Sequence, residues 1–365
     1  MSDTKKTTPE TIKEVKLTRE FVKSLPKAEL HCHLDGSMRV ETIMDIAKKE
    51  GVKLPSEDIK ELRKILEVGM KCKSLEEYLR PFDITAQVLQ TEEALFRATY
   101  ELAEDAAEEN VRYIEIRFAP LWHIKKGLSL NQVIEAVIDG ARQAERKFNI
   151  RIGIIICGIR HTSPADTLKV AELAVAYKNR GIVGFDLAGA EKDFPAKDHK
   201  EAFYLIINNN INTTAHAGEA YGTESIEQAI HYISANRIGH GTRLREDGDL
   251  LSYVNDHRIP LEMCITSNVQ TKAVETFEDH PAKFYFDLGL RVTLNTDNRL
   301  ISDANLTDEY MIAIEKLGFT ANDIKYLILN GFKSAFLPFH EKIKLIKDVT
   351  KEMEEKGLIF KKNYI

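Results

Sequence analysis

The stretch Ala28-Glu29-Leu30-His31-Cys32-His33-Leu34-Asp35-Gly36 sets two imidazoles two residues apart, with a carboxylate and a glycine just beyond. On a strand, positions i and i+2 project from one face, so His31 and His33 can reach a single point. On a helix they would stand roughly 200° apart, at about 100° per residue, and could not share an ion. The alternation before them favours the strand, and Asp35-Gly36 reads as the turn that ends it. Taken alone, such a pair also fits a strand with one buried, hydrogen-bonded histidine and one exposed one. Further groups tilt the reading toward metal chemistry. Asp186-Leu187-Ala188-Gly189, His216-Ala217-Gly218-Glu219, Gly239-His240-Gly241 and Thr296-Asp297-Asn298 each close a short strand-like run. His31, His33, His216 and Asp297 then make a three-nitrogen, one-oxygen ligand set, which suits zinc with a position kept for water. A zinc ion lowers the pKa of bound water toward about 7. Glu219, three residues after His216, is close to such an ion yet free to act as an acid or base. His240 is placed to accept the water's proton or to hold the hydroxide.

These groups act together only if the strand ends converge. After the opening strand, the alternating run Val111–Phe118 is followed by strand-like runs at Ile150–Ile156, Ile182–Leu187, Ile211–His216, Arg237–Gly239, Ile259–Cys264 and Arg291–Asn295. Helical stretches, among them Leu130–Lys147, Pro164–Arg180 and Ser225–Ala235, separate the later strands. Eight alternating units predict an α/β chain folded as a (β/α)8 barrel, whose strand ends share one rim. A doubly wound sheet is the competitor, but it needs a glycine-rich phosphate loop, and Gly239-His240-Gly241 lacks the third glycine. Residues 1–20 read as a flexible N-terminal tail and 21–365 as one domain. Between the first two strands an insert at about 37–110 reads as helices at Val40–Glu50, Ile59–Leu66, Leu75–Leu89 and Thr91–Asn110. An insert leaving the active rim predicts a lid. A last helix, His340–Lys356, carries Leu345, Val349 and Met353 at a four-residue spacing, the stripe of a helix packed on the barrel.

With these motifs in this order from about Leu25 to Pro338, the chain resembles the adenosine deaminase family of the metal-dependent amidohydrolase superfamily. The motifs that carry the resemblance are Glu29–Gly36, Gly184-Phe185-Asp186-Leu187-Ala188-Gly189, His216-Ala217-Gly218-Glu219, Arg237-Ile238-Gly239-His240-Gly241 and Leu294-Asn295-Thr296-Asp297. The resemblance implies one zinc ion per chain on His31, His33, His216 and Asp297. It implies that Glu219 protonates purine N1, and that His240 orients or deprotonates the attacking water. Substrate contacts are implied for His33, Asp186, the Gly189 backbone N–H against the purine ring, and Asp35 at a ribose hydroxyl. Tyr78, Leu79 and Phe82 align with an apolar gate over the pocket and His161 with its far wall; ordinary lid packing explains these four equally well. The chain departs from the commonest pattern at Asn298, where many members carry a second Asp that contacts purine N7. An Asn there is expected to replace the Asp as the N7 donor.

Composition sets the outer bounds. With 43% hydrophobic and 30% charged residues the chain has material for a core, and its net charge of −6 argues against a nucleic-acid partner. Four cysteines without a Cys-x-x-Cys pair suggest reduced thiols and the cytoplasm. Neither a signal-like apolar segment near the N-terminus nor a membrane-length apolar run is present. The expected partner is a small purine nucleoside, with no membrane and no nucleic acid. The expected reaction is hydrolytic deamination of adenosine and 2′-deoxyadenosine; the alternative is a sister deaminase of adenine or a modified adenine nucleoside. A Cys-ligated cytidine-type deaminase is excluded by the absence of Pro-Cys-x-x-Cys. A catalytically dead barrel would have lost a ligand or Glu219, and neither is lost.

Overall fold

In the computed structural model, which describes residues 15–360, eight parallel strands follow one another in chain order around a barrel. They are β1 (Lys27–His33), β2 (Val111–Phe118), β3 (Arg151–Ile159), β4 (Ile182–Ala188), β5 (Asn212–Ala217), β6 (Arg237–His240), β7 (Leu261–Met263) and β8 (Val292–Leu294). Closure comes just beyond β8, where His33 N–H donates to the Asp297 carbonyl at 2.7 Å and Asp297 N–H to the His31 carbonyl at 3.0 Å. The strands are buried on both faces, helices covering the outside and side chains filling the lumen, as all-parallel sheets require. That explains runs such as Ile154-Ile155-Ile156, where alternation gives way to continuous apolar character.

The lumen is not wholly apolar. Arg117 of β2 donates to Asp186 of β4 at 3.2 Å and to Glu262 of β7 at 2.8 Å. Arg237 of β6 donates to Glu262 at 2.5 Å and also to Glu115 of β2. Strands β2 and β7 are not neighbours in the sheet, so these bonds cross the barrel. Each of these buried charges has an opposite partner, the condition under which burial is tolerated.

Between β1 and β2 the chain leaves the active rim and forms the insert. A short helix, α1 (Arg19–Ser24), precedes β1, and the insert carries α2 (Val40–Glu50), α3 (Ile59–Leu66), α4 (Leu75–Leu79), α5 (Phe82–Val88) and α6 (Glu92–Glu108). Two expectations need correcting. The stretch expected to be one helix over Leu75–Leu89 is two, divided at Arg80-Pro81, because Pro81 has no N–H to continue the ladder and instead opens α5. The tail ends earlier than residue 20: Thr18 accepts from Phe21 N–H at 3.2 Å and caps α1, so Arg19 and Glu20 are helical. Residues 1–14 of the expected tail lie outside the described residues. As expected, Thr91 caps α6, accepting from Ala94 N–H at 3.2 Å, and the final helix, Phe339–Glu355, buries Val349 and Met353. All four cysteines are free and buried. Among the described residues, no helix is long and apolar enough to cross a membrane.

Candidate active site

At the C-terminal rim, β1, β5 and the turn after β8 bring four donor atoms together. His216 Nε2 lies 3.1 Å from the Nε2 atoms of both His31 and His33. Asp297 Oδ1 lies 3.4 Å from each of those two histidine nitrogens. The rear nitrogens of His31 and His216 are turned away from the cluster. His31 Nδ1 donates to Glu262 Oε2 at 2.9 Å, and His216 Nδ1 faces Asp186 Oδ2 at 3.2 Å. The Nε2 lone pairs therefore point at one another and at a carboxylate, a repulsive arrangement that a divalent cation relieves. The spacing fits one: four ligands at about 2.0–2.1 Å in a tetrahedron stand about 3.3 Å apart. Proximity alone also admits His240, since His31, His216, His240 and Asp297 have ligand atoms within 4.8 Å of one another. The shorter His33–His216 distance favours His33 as the ligand and leaves His240 beside the cluster.

The backbone is bent to serve this geometry. His240 and Asp297 adopt left-handed conformations, with φ of 63° and 62°. For residues with a Cβ such a conformation costs roughly 1–3 kcal/mol each, and it turns both side chains inward just where their strands end. Asp297 is fixed further by Ser267 Oγ, which donates to Oδ2 at 2.6 Å and leaves Oδ1 for the cluster.

Glu219 hangs from a loop held by another carboxylate. Glu191, buried after β4, accepts from the N–H groups of Gly218, Glu219, Ala220 and Tyr221 at 2.5, 3.1, 2.6 and 3.0 Å. Glu219 Oε2 lies 3.5 Å from His240 Nε2, while Glu219 Oε1 and His240 Nε2 have no hydrogen-bond partner although buried. Burial pushes the Glu219 carboxyl well above the usual carboxylate range, and the charges of Asp297 and Glu191 push the same way.

Beside the cluster opens a cavity of about 330 Å³, lined by His33, Asp35, Leu79, Phe82, Trp122, His161 and Gly189 among others. The Asp35 carboxyl is pushed up to about 6 by burial, and its Oδ1 is a buried acceptor without a partner. Gly189 has φ of +91°, and a Cβ there would come within 3.0 Å of the His161 ring. A side chain would thus be strained and would crowd the cavity wall.

A sequence model of the adenosine deaminase family matches residues 26–352. The adenosine deaminase of Clostridium acetobutylicum is 42% identical over 329 residues, covering 90% of this chain and 98% of its own. The chain belongs to the adenosine deaminase family. The adenosine deaminase of Clostridium kluyveri is 43% identical over 317 residues, 87% of this chain and 91% of its own. Among solved structures, the adenine deaminase of Arthrobacter aurescens superposes with a TM-score of 0.85 at 29% identity, covering 90% of this chain and 99% of that one.

Two residues expected to contact substrate, Asp186 and Tyr78, do not line the cavity. Asp186 is fully buried behind His216 and bonded to Arg117, so it faces the histidine and not the cavity. Tyr78 lies beneath the gate rather than in it: its hydroxyl meets Ser302 Oγ at 2.6 Å and accepts from Asn298 Nδ2 at 3.0 Å. Asn298 packs against Gly36 so closely that a Cβ on Gly36 would fall 1.8 Å from its Oδ1. Other members of the site went unread in the sequence. Trp122, in the turn after β2, lines the cavity with its ring 6.0 Å from that of His161. Glu262 and Glu191 hold His31 and the Glu219 loop. Glu262 did leave a signal, as the one charge in the apolar run Ile259–Cys264. Nothing local marks Trp122 or Glu191.

Proposed function

We propose that this chain hydrolyses adenosine and 2′-deoxyadenosine, at one zinc ion per chain, to inosine or deoxyinosine and ammonia. Deamination of adenosine goes with membership of the family; the zinc, the residue roles and the nucleoside preference are the proposal. The observation that carries it is the set of inward-facing donors on His31, His33, His216 and Asp297, with Glu219 and His240 beside them and the cavity alongside. When bound, zinc makes a water molecule acidic enough to attack at neutral pH. The remaining work falls to the side chains. Glu219, kept protonated by its surroundings, delivers a proton to purine N1, which draws electrons from C6 and opens it to attack. His240, on the water's side, orients the nucleophile. Water adds to C6 as hydroxide; of its two protons one restores Glu219 and the other goes to the amino group, which leaves as ammonia as the C6–O bond becomes the carbonyl of inosine. His33 and Gly189 border the ring, and Leu79, Phe82 and His161 cover it and exclude bulk water.

Asp35 favours a nucleoside over the free base, since its unpartnered Oδ1 suits a ribose hydroxyl that adenine lacks. A nucleotide is disfavoured because Arg80 and Lys125 at the cavity are offset by Glu76 and Asp83. Rates measured from the ultraviolet change of the purine, with adenosine, deoxyadenosine, adenine, AMP and N6-methyladenosine side by side, test the reading. The two unmodified nucleosides should turn over fastest, and metal analysis should find one zinc per chain. A faster rate on adenine, or full activity in metal-free protein, overturns it.

A further inference from the structure

Behind His240 runs a chain of polar side chains that ends on a peptide N–H. His280 Nδ1 accepts from the Ala282 backbone N–H at 3.3 Å. His280 Nε2 lies 3.1 Å from Asn268 Oδ1, and Asn268 Nδ2 lies 2.9 Å from His240 Nδ1. His280, Asn268 and His240 are all buried. Side-chain amides can be turned over and imidazoles can move a proton between nitrogens, so each contact read singly is ambiguous. A peptide N–H cannot be reversed, and it sets the direction of the whole chain. Because Ala282 donates, His280 Nδ1 must be bare, and burial keeps this imidazole neutral, its pKa lowered to about 3. Its one proton is then on Nε2, and Asn268 must turn its carbonyl oxygen to it. The Asn268 amino group is left facing His240, whose Nδ1 can only accept. Turning Asn268 over would set its amino group against the Nε2–H of His280, two donors facing each other, and leave that proton without an acceptor.

We infer that His280 and Asn268 are positioning residues that hold neutral His240 as the tautomer protonated on Nε2, the nitrogen 3.5 Å from Glu219 Oε2. His240 then meets the attacking water as a hydrogen-bond donor. It steers a lone pair of the nucleophile and does not take its proton. To act as a base it would need the opposite tautomer, which the chain opposes. The helix that carries Asn268, Ile265–Gln270, is itself fixed: Glu309 accepts from Ile265 and Thr266 N–H at 2.7 and 3.1 Å.

The functional part of this inference rests on the proposed role of His240; the tautomer does not, and the two are read separately. Nitrogen-15 NMR of the zinc-loaded, histidine-labelled enzyme shows which ring nitrogen carries the proton, and the resonance missing from His240→Gln assigns it. The expected result is Nε2–H in the wild type and in His280→Gln, which keeps a donor toward Asn268. Asn268→Asp offers only acceptors and should move the proton to Nδ1. In kinetics, Asn268→Asp and His280→Leu should lower kcat about tenfold to a hundredfold with KM little changed, less than the roughly 10²–10⁴ of a proton-transfer group itself. His280→Gln should restore most of it. Nδ1–H in the wild type overturns the inference even if every variant fails to fold, as does an unmoved proton in Asn268→Asp. The expected tautomers with unchanged kcat would support the relay and remove His240 from the chemistry.

Discussion

At the scale of single residues, the role proposed for Glu219 requires it to hold a proton at neutral pH and give it up in the transition state. Its buried place near two other carboxylates supplies the first condition. Glu219→Gln keeps the size and loses the proton, so kcat should fall roughly 10²–10⁴-fold while zinc content stays at the wild-type level. A rate within a few-fold of wild type would make Glu219 a packing residue. Asp297→Ala should act differently, lowering zinc occupancy and activity together, because it removes one of the four proposed ligands. Zinc retained at full occupancy in that variant would remove Asp297 from the ligand set. Asn298 is the finer case. Purine N7 only accepts, so its partner must donate, and Asn carries two amide hydrogens at every pH. One goes to the Tyr78 hydroxyl at 3.0 Å, which leaves the other for substrate. Adenosine should therefore be preferred over 7-deazaadenosine by about 1–3 kcal/mol in kcat/KM, and Asn298→Ala should lose most of that preference. A preference unchanged by the mutation would assign N7 to another donor.

At the scale of elements, the site depends on loops pinned by groups far off in sequence. Glu191 gathers four consecutive N–H groups and so fixes the turn that aims Glu219. Glu191→Gln sets an amide NH₂ against one or more of those donors. The expected cost is at least about 2 kcal/mol of stability, the scale of a buried donor left unpaired, with kcat lowered and zinc retained. Thermal melting read beside kcat and zinc content checks this, and a wild-type kcat would show that the loop holds its shape without Glu191. The same long-range character explains what could be read in the chain and what could not. Strand-end residues were legible because a strand announces itself by apolar pattern and the barrel fixes where its end must lie. That His31, His33, His216 and Asp297 meet at one rim follows from that logic. Glu262 bonds His31 across 231 positions of chain, and a contact across the lumen leaves no spacing to read. Asp186 looked like a pocket residue because it also ends a strand. Which side of the strand end faces the cavity is decided by Arg117 and His216, not by Asp186's neighbours in sequence. The break at Pro81 was visible as a proline, but its consequence, a turn between two short gate helices, depends on how those helices pack beneath the cavity.

At the scale of the whole molecule, the barrel buries titratable groups wherever an element must be tied down, and this couples stability to pH. His123 stands in the turn after β2 and meets the Leu89 carbonyl at 3.0 Å, at the end of α5 within the insert; as a neutral ring it donates there from Nδ1. Burial lowers its pKa to about 4, against about 6.5 for an unfolded histidine. Between those two values the unfolded chain binds the proton that the folded chain refuses, so unfolding takes up a proton and stability falls as pH falls. The contribution is complete above about pH 6.5 and gone below about pH 4, on the order of 3 kcal/mol at most. His280 acts in the same direction down to about pH 3. Acid also protonates metal ligands, so a raw acid-denaturation curve mixes several causes. His123→Asn separates them, because its amide still donates toward Leu89 but does not titrate in this range. Stability of the zinc-loaded protein, measured by denaturant at steps from pH 7 to pH 4, should fall less steeply in the variant than in wild type, whatever the offset at pH 7. Parallel curves would mean that His123 charges without unfolding, so that the join between insert and barrel is open to water.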